Sequence, residues 1–265
     1  MRILVVEDEL LYREPVCEAL EQAGFEVIET ASAIEAGALI RTGPALDALF
    51  TDIALGPGPT GWDVAQAFRL RYRTAPIIYA SGYVPGENRS LRGSLLFPKP
   101  YRASQLVEVL RTLLLPAPQL LDSPLDGLTR VTYMSRATSL MQHPSPEMAR
   151  ARLEAEAQQH NRRVGITGAL LASPDWFIQT LEGCHAAVME ILGRISRDRR
   201  NADLRVFAIE SGVERLFAGW WMHVATFDEI DPDLAAACIG AFGRPGRGEA
   251  RTLNEALLAS LQAVA

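Results

Sequence analysis

The 265-residue sequence predicts two domains in series: an open doubly wound parallel α/β sheet, then an α+β sandwich with helices at its C-terminal end. Three observations predict this. The first half alternates short, wholly apolar runs with helical stretches, the pattern of parallel strands covered on both faces. The second half changes to longer strands of alternating character in the order βαββαββ. Between them PAPQLLDSPLDG, residues 116–127, is rich in Pro and Asp, has no period and reads as a linker.

Composition bounds the function. With 48% hydrophobic residues the chain has material for two cores, and its net charge of −6 argues against nucleic acid, whose binding draws on counterion release by Lys and Arg. The opening MRILVVEDEL turns acidic after a short apolar run. The Leu-rich stretch from Leu110 to Leu121 is broken by Arg111, Pro116 and Pro118, so neither a signal peptide nor a membrane span is expected. Cys17, Cys184 and Cys238 form no C-x-x-C pair, and His143, His160, His185 and His223 lack zinc-ligand spacing. A reducing cytoplasm and no structural metal are expected.

The first domain, residues 1–115, opens on RILVVEDE, an apolar strand ended by acids. Pro15 reads as an early residue of a helix that runs to Gly24, and EVIETA as the second strand. Ser32 with Glu35 is expected to form a capping box for a helix ended by Gly43-Pro44. ALFTD, a helix from about Trp62, PIIYAS, SLLFPK and a helix from about Ser104 complete five strand units. Ligands of such sheets sit beyond the carboxyl ends of the strands. Those ends carry Glu7 and Asp8, Asp52, Ser81 and Lys99. Carboxylates crowded in a cleft repel one another, and Mg²⁺, a hard cation with oxygen ligands, relieves that repulsion.

VVEDE, TDIAL, YASGY and FPKPY, in that order, resemble the motifs of the response-regulator receiver domain, a flavodoxin-like five-stranded fold. The resemblance implies that Asp52 accepts a phosphoryl group from a histidine kinase. It further implies that Glu7, Asp8 and Asp52 hold Mg²⁺, while Ser81 and Lys99 bind the phosphoryl oxygens and relay the change. Two departures point to an altered output surface. Leu96 stands three residues before Lys99, where many receivers have an aromatic. In VPGENRSLRGSLLFP, Pro85, Gly86 and Gly93 leave little room for a regular fourth helix.

In the second half RVTYMSRA is an alternating strand, and Ser145-Pro146 opens a helix to about His160. VGITGALLA and WFIQTLEG are strands joined by a turn at Ser173 to Asp175. AAVMEILGRIS is an amphipathic helix, and LRVFAIE and GWWMHVAT are two more strands. This order begins with the split βαβ pattern of a ferredoxin-like sandwich. Alternation places Tyr133 with Val131, Gln179 with Phe177 and Leu181, and Trp220 with Met222 and Val224. If these faces meet the helices, they surround one pocket, to which Asn161 and Arg200 add polar groups. An amide buried there costs about 1 to 3 kcal/mol unless it is bonded, so Gln179 needs a partner. In the tail, residues 227–265, Asp231-Pro232 starts a helix, and Leu253, Leu257, Leu258 and Leu261 share one side of the last stretch. The tail is expected to cover the open sheet face or to pair with another chain.

TYMSRA, HNRRVGITGALL, WFIQTLEG, RISRDRR and FAGWWM, within residues 128–226, resemble the BLUF domain, a flavin-binding sensor of blue light. The resemblance implies FAD with its ring between the two helices, Tyr133 as electron and proton donor, and Gln179 bonded between Tyr133 and the flavin. Asn161 and Arg200 would bond the ring carbonyls, Ile195 would pack on the ring and Ser135 would line the site. Trp220 and Met222 are the alternative neighbours of Gln179 that relay the signal, and Asn201 stands where a His is common. Together the two resemblances imply a cytoplasmic photoreceptor and response regulator with no DNA-binding or enzymatic output domain. It would act through a histidine kinase, a downstream protein and a homodimer. The alternatives are a flavin-dependent oxidoreductase and an interaction module with a vestigial flavin site.

Overall fold

The computed structural model describes residues 1–82, 89–91, 93–114, 127–142, 145–242 and 247–262, which fall into two compact units, Met1–Pro116 and Ala117–Ala265. Most of the expected linker, as well as Pro85, Gly86 and His143, lies outside the described residues.

The first unit runs β1 (Arg2–Val6), α1 (Leu10–Gln22), β2 (Glu26–Thr30), α2 (Ala33–Thr42), β3 (Ala48–Asp52), α3 (Gly61–Arg71), β4 (Ile77–Ser81), β5 (Ser94–Pro98) and α4 (Ala103–Leu114). All its strand pairs are parallel, in the order β2-β1-β3-β4-β5. β3 and β4 are buried at every residue, as strands covered on both faces must be. Between β4 and β5 no helix occurs among the described residues.

Two local expectations need correction. Helix α1 starts at Leu10, so Pro15 falls in its second turn and denies the Leu11 carbonyl its usual i+4 donor. Only half of the box at Ser32 forms. Its hydroxyl accepts from Ile34 N, but the Glu35 carboxylate takes the Thr30 hydroxyl at 2.6 Å instead of the Ser32 amide, which bonds Thr30 Oγ1. Complete capping boxes occur at Thr60/Asp63 and Thr226/Glu229.

The second unit runs β6 (Leu128–Ala137), α5 (Pro146–Val164), β7 (Thr167–Ala172), β8 (Trp176–Cys184), α6 (His185–Arg197), β9 (Asn201–Ser211), β10 (His223–Thr226), α7 (Pro232–Ala241) and α8 (Arg247–Gln262). Its sheet order is β10-β7-β8-β6-β9, with β6, β7, β8 and β9 paired antiparallel and β10 parallel to β7. The Ser145 hydroxyl caps α5 through Met148 N, and Gly165, at φ +71°, ends it in the left-handed conformation that favours glycine. The last strand begins at His223, three residues later than Trp220, so Trp220 and Met222 do not follow strand alternation.

A core of Met134, Leu171, Ile178, Phe207, Leu253 and Leu257 joins the sheet to α8. The C-terminal helices therefore cover one face of this sheet. The other face carries α5 and α6.

Candidate functional site

Each unit brings its own set of predicted residues together. In the first, the carboxylates of Glu7, Asp8 and Asp52 lie within 4.8 Å of one another at the ends of β1 and β3. Lys99 Nζ sits between two of them, 2.7 Å from Asp52 Oδ2 and 2.8 Å from Glu7 Oε2. Glu7 and Asp52 are buried and Asp8 is exposed, so the cluster opens to solvent on the Asp8 side. Burial, reinforced by the neighbouring Asp52 charge, pushes Glu7 up to about 7 against the pull of Lys99. Burial also opposes the charge on Lys99, yet its bonds to Asp52 and Glu7 hold its pKa above the ordinary lysine range.

The backbone fixes this geometry. Lys99 N bonds Ser81 O at 2.7 Å, which ties the ends of β4 and β5 together, and Ser81 is buried. At Gly61 a Cβ would meet Asp52 O at 1.9 Å, so only glycine lets α3 start this close to the Asp52 carbonyl. Sequence reading missed Tyr12, whose ring centroid lies 4.2 Å from Lys99 Nζ. A lone aromatic near a helix start gives no sign of such stacking.

The acidic cluster suits a hard cation: three oxygen donors converge with one face open for water, the donor set Mg²⁺ uses.

In the second unit a cavity of about 430 Å³ lies between the sheet and helices α5 and α6. Leu153 and Ala157 of α5 and Ile191 and Ile195 of α6 line it on the helix side beside the polar Glu156, His160 and Arg194, while the sheet side sets Tyr133 and Gln179 among Leu170, Phe177 and Leu181, with Met222 next to them. Tyr133 and Gln179 are directly opposed on β6 and β8, and the Tyr133 hydroxyl donates to Gln179 Oε1. Gln179 Nε2 points at Met222 Sδ, 3.4 Å away. Burial raises the pKa of Tyr133, so its phenol stays protonated at neutral pH.

The remaining predicted residues divide. Asn161 lines the cavity and donates from Nδ2 to Trp221 O at 2.7 Å. Arg200 lines it too, but its guanidinium is engaged by Asp198 at 2.6 Å and Glu156 at 3.1 Å, neither singled out by the sequence. Those bonds, Asp198 first, raise its pKa. Ser135 does not line the cavity and donates instead to Asn201 Oδ1 at 2.7 Å, and Asn201 does line it. Trp220 is turned away from Gln179 and packs on the core under α8, 5.2 Å from the His223 ring. The expectation that Trp220 and Met222 share a side is thus corrected. The cavity fits a flat heteroaromatic ring: apolar side chains from both helices and the sheet, several convergent polar groups, and a volume within the usual range for small-molecule sites.

Residues 128–223 match the family model described as "BLUF: Sensors of blue-light using FAD". These residues form a BLUF domain. BLUF domains bind flavin. Among curated proteins, photoactivated adenylate cyclase subunit beta of Euglena gracilis is 31% identical over 103 residues, 39% of this chain and 12% of the cyclase subunit. The transcriptional regulatory protein CusR of Escherichia coli is 30% identical over 118 residues, 43% of this chain and 51% of CusR. The chain thus spans only a small part of the first relative and about half of the second. Among solved structures, a response regulator receiver protein from Sinorhizobium medicae is 30% identical, covers 46% of this chain and 95% of its own, and superposes with a TM-score of 0.40. The BLUF domain therefore sits in a chain that also bears receiver-like similarity. No helix among the described residues is long and apolar enough to cross a membrane.

Proposed function

We propose that the chain is a cytoplasmic blue-light photoreceptor that joins flavin sensing in residues 128–226 to a phosphorylatable receiver in residues 1–115 and signals through protein partners. The observation that carries the reading is the buried, cross-strand Tyr133–Gln179 pair at the floor of the cavity. A bound FAD would supply the chromophore that absorbs blue light and draws an electron from Tyr133. Tyr133 holds its proton against Gln179 Oε1, within the wall that excludes water. The Gln179 amide has one end on the phenol and the other on a thioether, a weak acceptor. Rotation or tautomerisation therefore sacrifices little on the Met222 side and re-aims the amide donor, which is how Tyr133, Gln179 and Met222 would switch. Asn161 and Arg200 would bond the ring carbonyls, Ile195 would pack on the ring, and Ser135 would act through Asn201.

In the receiver-like unit Glu7, Asp8 and Asp52 would hold Mg²⁺, and Asp52 would accept the phosphoryl group of a histidine kinase. Lys99 and Ser81 would bind its oxygens. The similarity to CusR and the convergence of Glu7, Asp8, Asp52 and Lys99 support this part. The downstream element would be a separate protein or a second copy of the chain.

The test is the absorption spectrum of purified protein before and after blue light. A yellow protein with a reversible red shift supports the sensor. A colourless protein, or steady bleaching by NADH, would overturn it in favour of an interaction module or an oxidoreductase.

A further inference from the structure

Behind the Tyr133–Gln179 pair, on the sheet face that α8 covers, lies a second polar group. Strand alternation puts Thr132 and Thr180 there, opposed across β6 and β8 as Tyr133 and Gln179 are on the cavity face. Both hydroxyls are fully buried, and Asn254 of α8, also buried, reaches between them. Thr180 Oγ1 donates to Asn254 Oδ1 at 2.6 Å, Asn254 Nδ2 donates to Thr132 Oγ1 at 3.2 Å, and the two threonine hydroxyls are 3.0 Å apart. Assigning the Thr132 proton to Thr180 closes a ring of three bonds in which each side chain donates once and accepts once. The one other buried polar group among the described residues of α8, the Ser260 hydroxyl, is bonded within the helix to Leu257 O, and the rest of this α8 face meets the sheet through apolar side chains, with Ala250, Leu253, Leu257 and Leu261 in the core. Non-directional contacts of that kind tolerate small strand movements. Hydrogen bonds weaken steeply with angle, so the ring is the part of the interface sensitive to the register and tilt of β6 against β8.

We infer that the Thr132–Thr180–Asn254 ring is the element by which α8 reads the state of the Tyr133–Gln179 pair. The inference rests on the light-switch reading above. Each ring threonine is bonded through one peptide to a member of the pair. A rearrangement of the Gln179 amide that shifts β8 relative to β6 therefore changes the Thr180–Asn254 geometry first. The ring has two discrete conditions, closed through Asn254 or reduced to the Thr132–Thr180 bond, and its state sets how firmly α8 is held. Among the described residues of the second unit it also bridges the longest sequence separation of any side-chain hydrogen bond, 122 residues from Thr132 to Asn254.

The experiment uses the full, flavin-loaded chain and follows two readouts together: the flavin spectrum, and amide hydrogen exchange of α8 in darkness and under blue light. In the parent protein illumination should give the red shift and change α8 exchange on the order of fivefold. Asn254→Leu, close in shape, should keep the shift, while α8 exchange becomes the same in darkness and light. Thr180→Val removes the same ring from the sheet side and should behave alike, which keeps the test decisive should Asn254→Leu fail to fold. A parent protein without a reversible shift sinks the light-switch reading and this inference with it. If the parent shifts but its α8 exchange is unchanged, or the variants keep the full light–dark difference on a uniformly faster background, the ring is packing and the inference fails while the sensor stands. Loss of the shift itself in flavin-loaded Asn254→Leu would also overturn it, since the ring would then belong to the photochemical pair.

Discussion

The two clusters solve opposite problems. At the strand ends of the first unit three carboxylates and an ammonium are brought together, and the order of the site is set by charge: Lys99 neutralises part of what Glu7 and Asp52 create, with Asp8 left toward water. On the sheet face of the second unit the central groups, Tyr133, Gln179 and Met222, are neutral and buried, and the order is set by which donor meets which acceptor. A charged site survives loss of geometry better than loss of charge. A neutral hydrogen-bond switch has the reverse sensitivity. Substitutions that preserve shape should therefore be severe in the first cluster, and those that preserve polarity without the right donor pattern should be severe in the second.

The largest expected effect is Asp52→Asn, which preserves shape and removes the nucleophilic carboxylate. With acetyl phosphate and Mg²⁺ the parent should gain a phosphoryl adduct on Asp52 by mass spectrometry, and Asp52→Asn should gain none. An adduct elsewhere in the parent would break the charge half of the comparison. Gln179→Leu is the counterpart in the second cluster. Flavin should stay bound, since the walls and Asn161 remain, and the red shift should vanish. Tyr133→Phe should also bind flavin without a shift, with the greater rise in flavin fluorescence because the quenching phenol is gone. A normal reversible shift in either variant would make Gln179 a structural amide.

Legibility followed the same divide. The strand-end acids could be read because β-strands are short and apolar and their ends stand out as the first charges after them; Glu7, Asp8, Asp52 and Lys99 meet where the βαβ pattern puts them. Alternation likewise put Tyr133 and Gln179 on definite faces of their strands, but their direct opposition is a matter of the register between β6 and β8, which alternation does not give. It failed at Trp220 and Met222, because they precede β10 and the preceding segment has no fixed period. It was silent on Tyr12, Glu156, Asp198 and Asn254, whose partners are 87, 44, 2 and 122 residues away. For Asp198 the separation is short, but an acid two residues before an arginine is common in any turn. The box at Ser32 was misread because Thr30, outside the motif, competes for the Glu35 carboxylate.

A smaller effect is expected within the second unit, at the charged rim of the cavity. Arg200→Ala removes a charged donor toward the ring and should weaken flavin binding about tenfold to a hundredfold. Glu156→Gln releases one of the two carboxylates that hold the guanidinium and should tighten binding by no more than about fivefold, the range of an exposed ion pair. Flavin titration by fluorescence measures both. Equal losses in the two variants would mean that Glu156 supports the wall and does not restrain Arg200.

The smallest effect separates the two residues that sequence could not rank. Met222 Sδ lies 3.4 Å from Gln179 Nε2, whereas Trp220 packs with the core under α8, edge-on to His223. Met222→Leu conserves volume and should cost less than about 1.5 kcal/mol of stability. It nevertheless removes the only acceptor for the Gln179 Nε2 donor found among the described residues, so the amide should be biased toward other bonds and the dark recovery rate should change. Trp220→Phe trims a half-buried ring and should lower stability by about 1 kcal/mol. Because Trp220 does not reach Gln179, the spectrum and the recovery rate should stay as they are. Timing the return of the dark spectrum after a light pulse, beside thermal melts of both variants, decides the matter. A recovery rate altered by Trp220→Phe and untouched by Met222→Leu would mean that the indole, not the thioether, occupies the space beside the glutamine when flavin is bound.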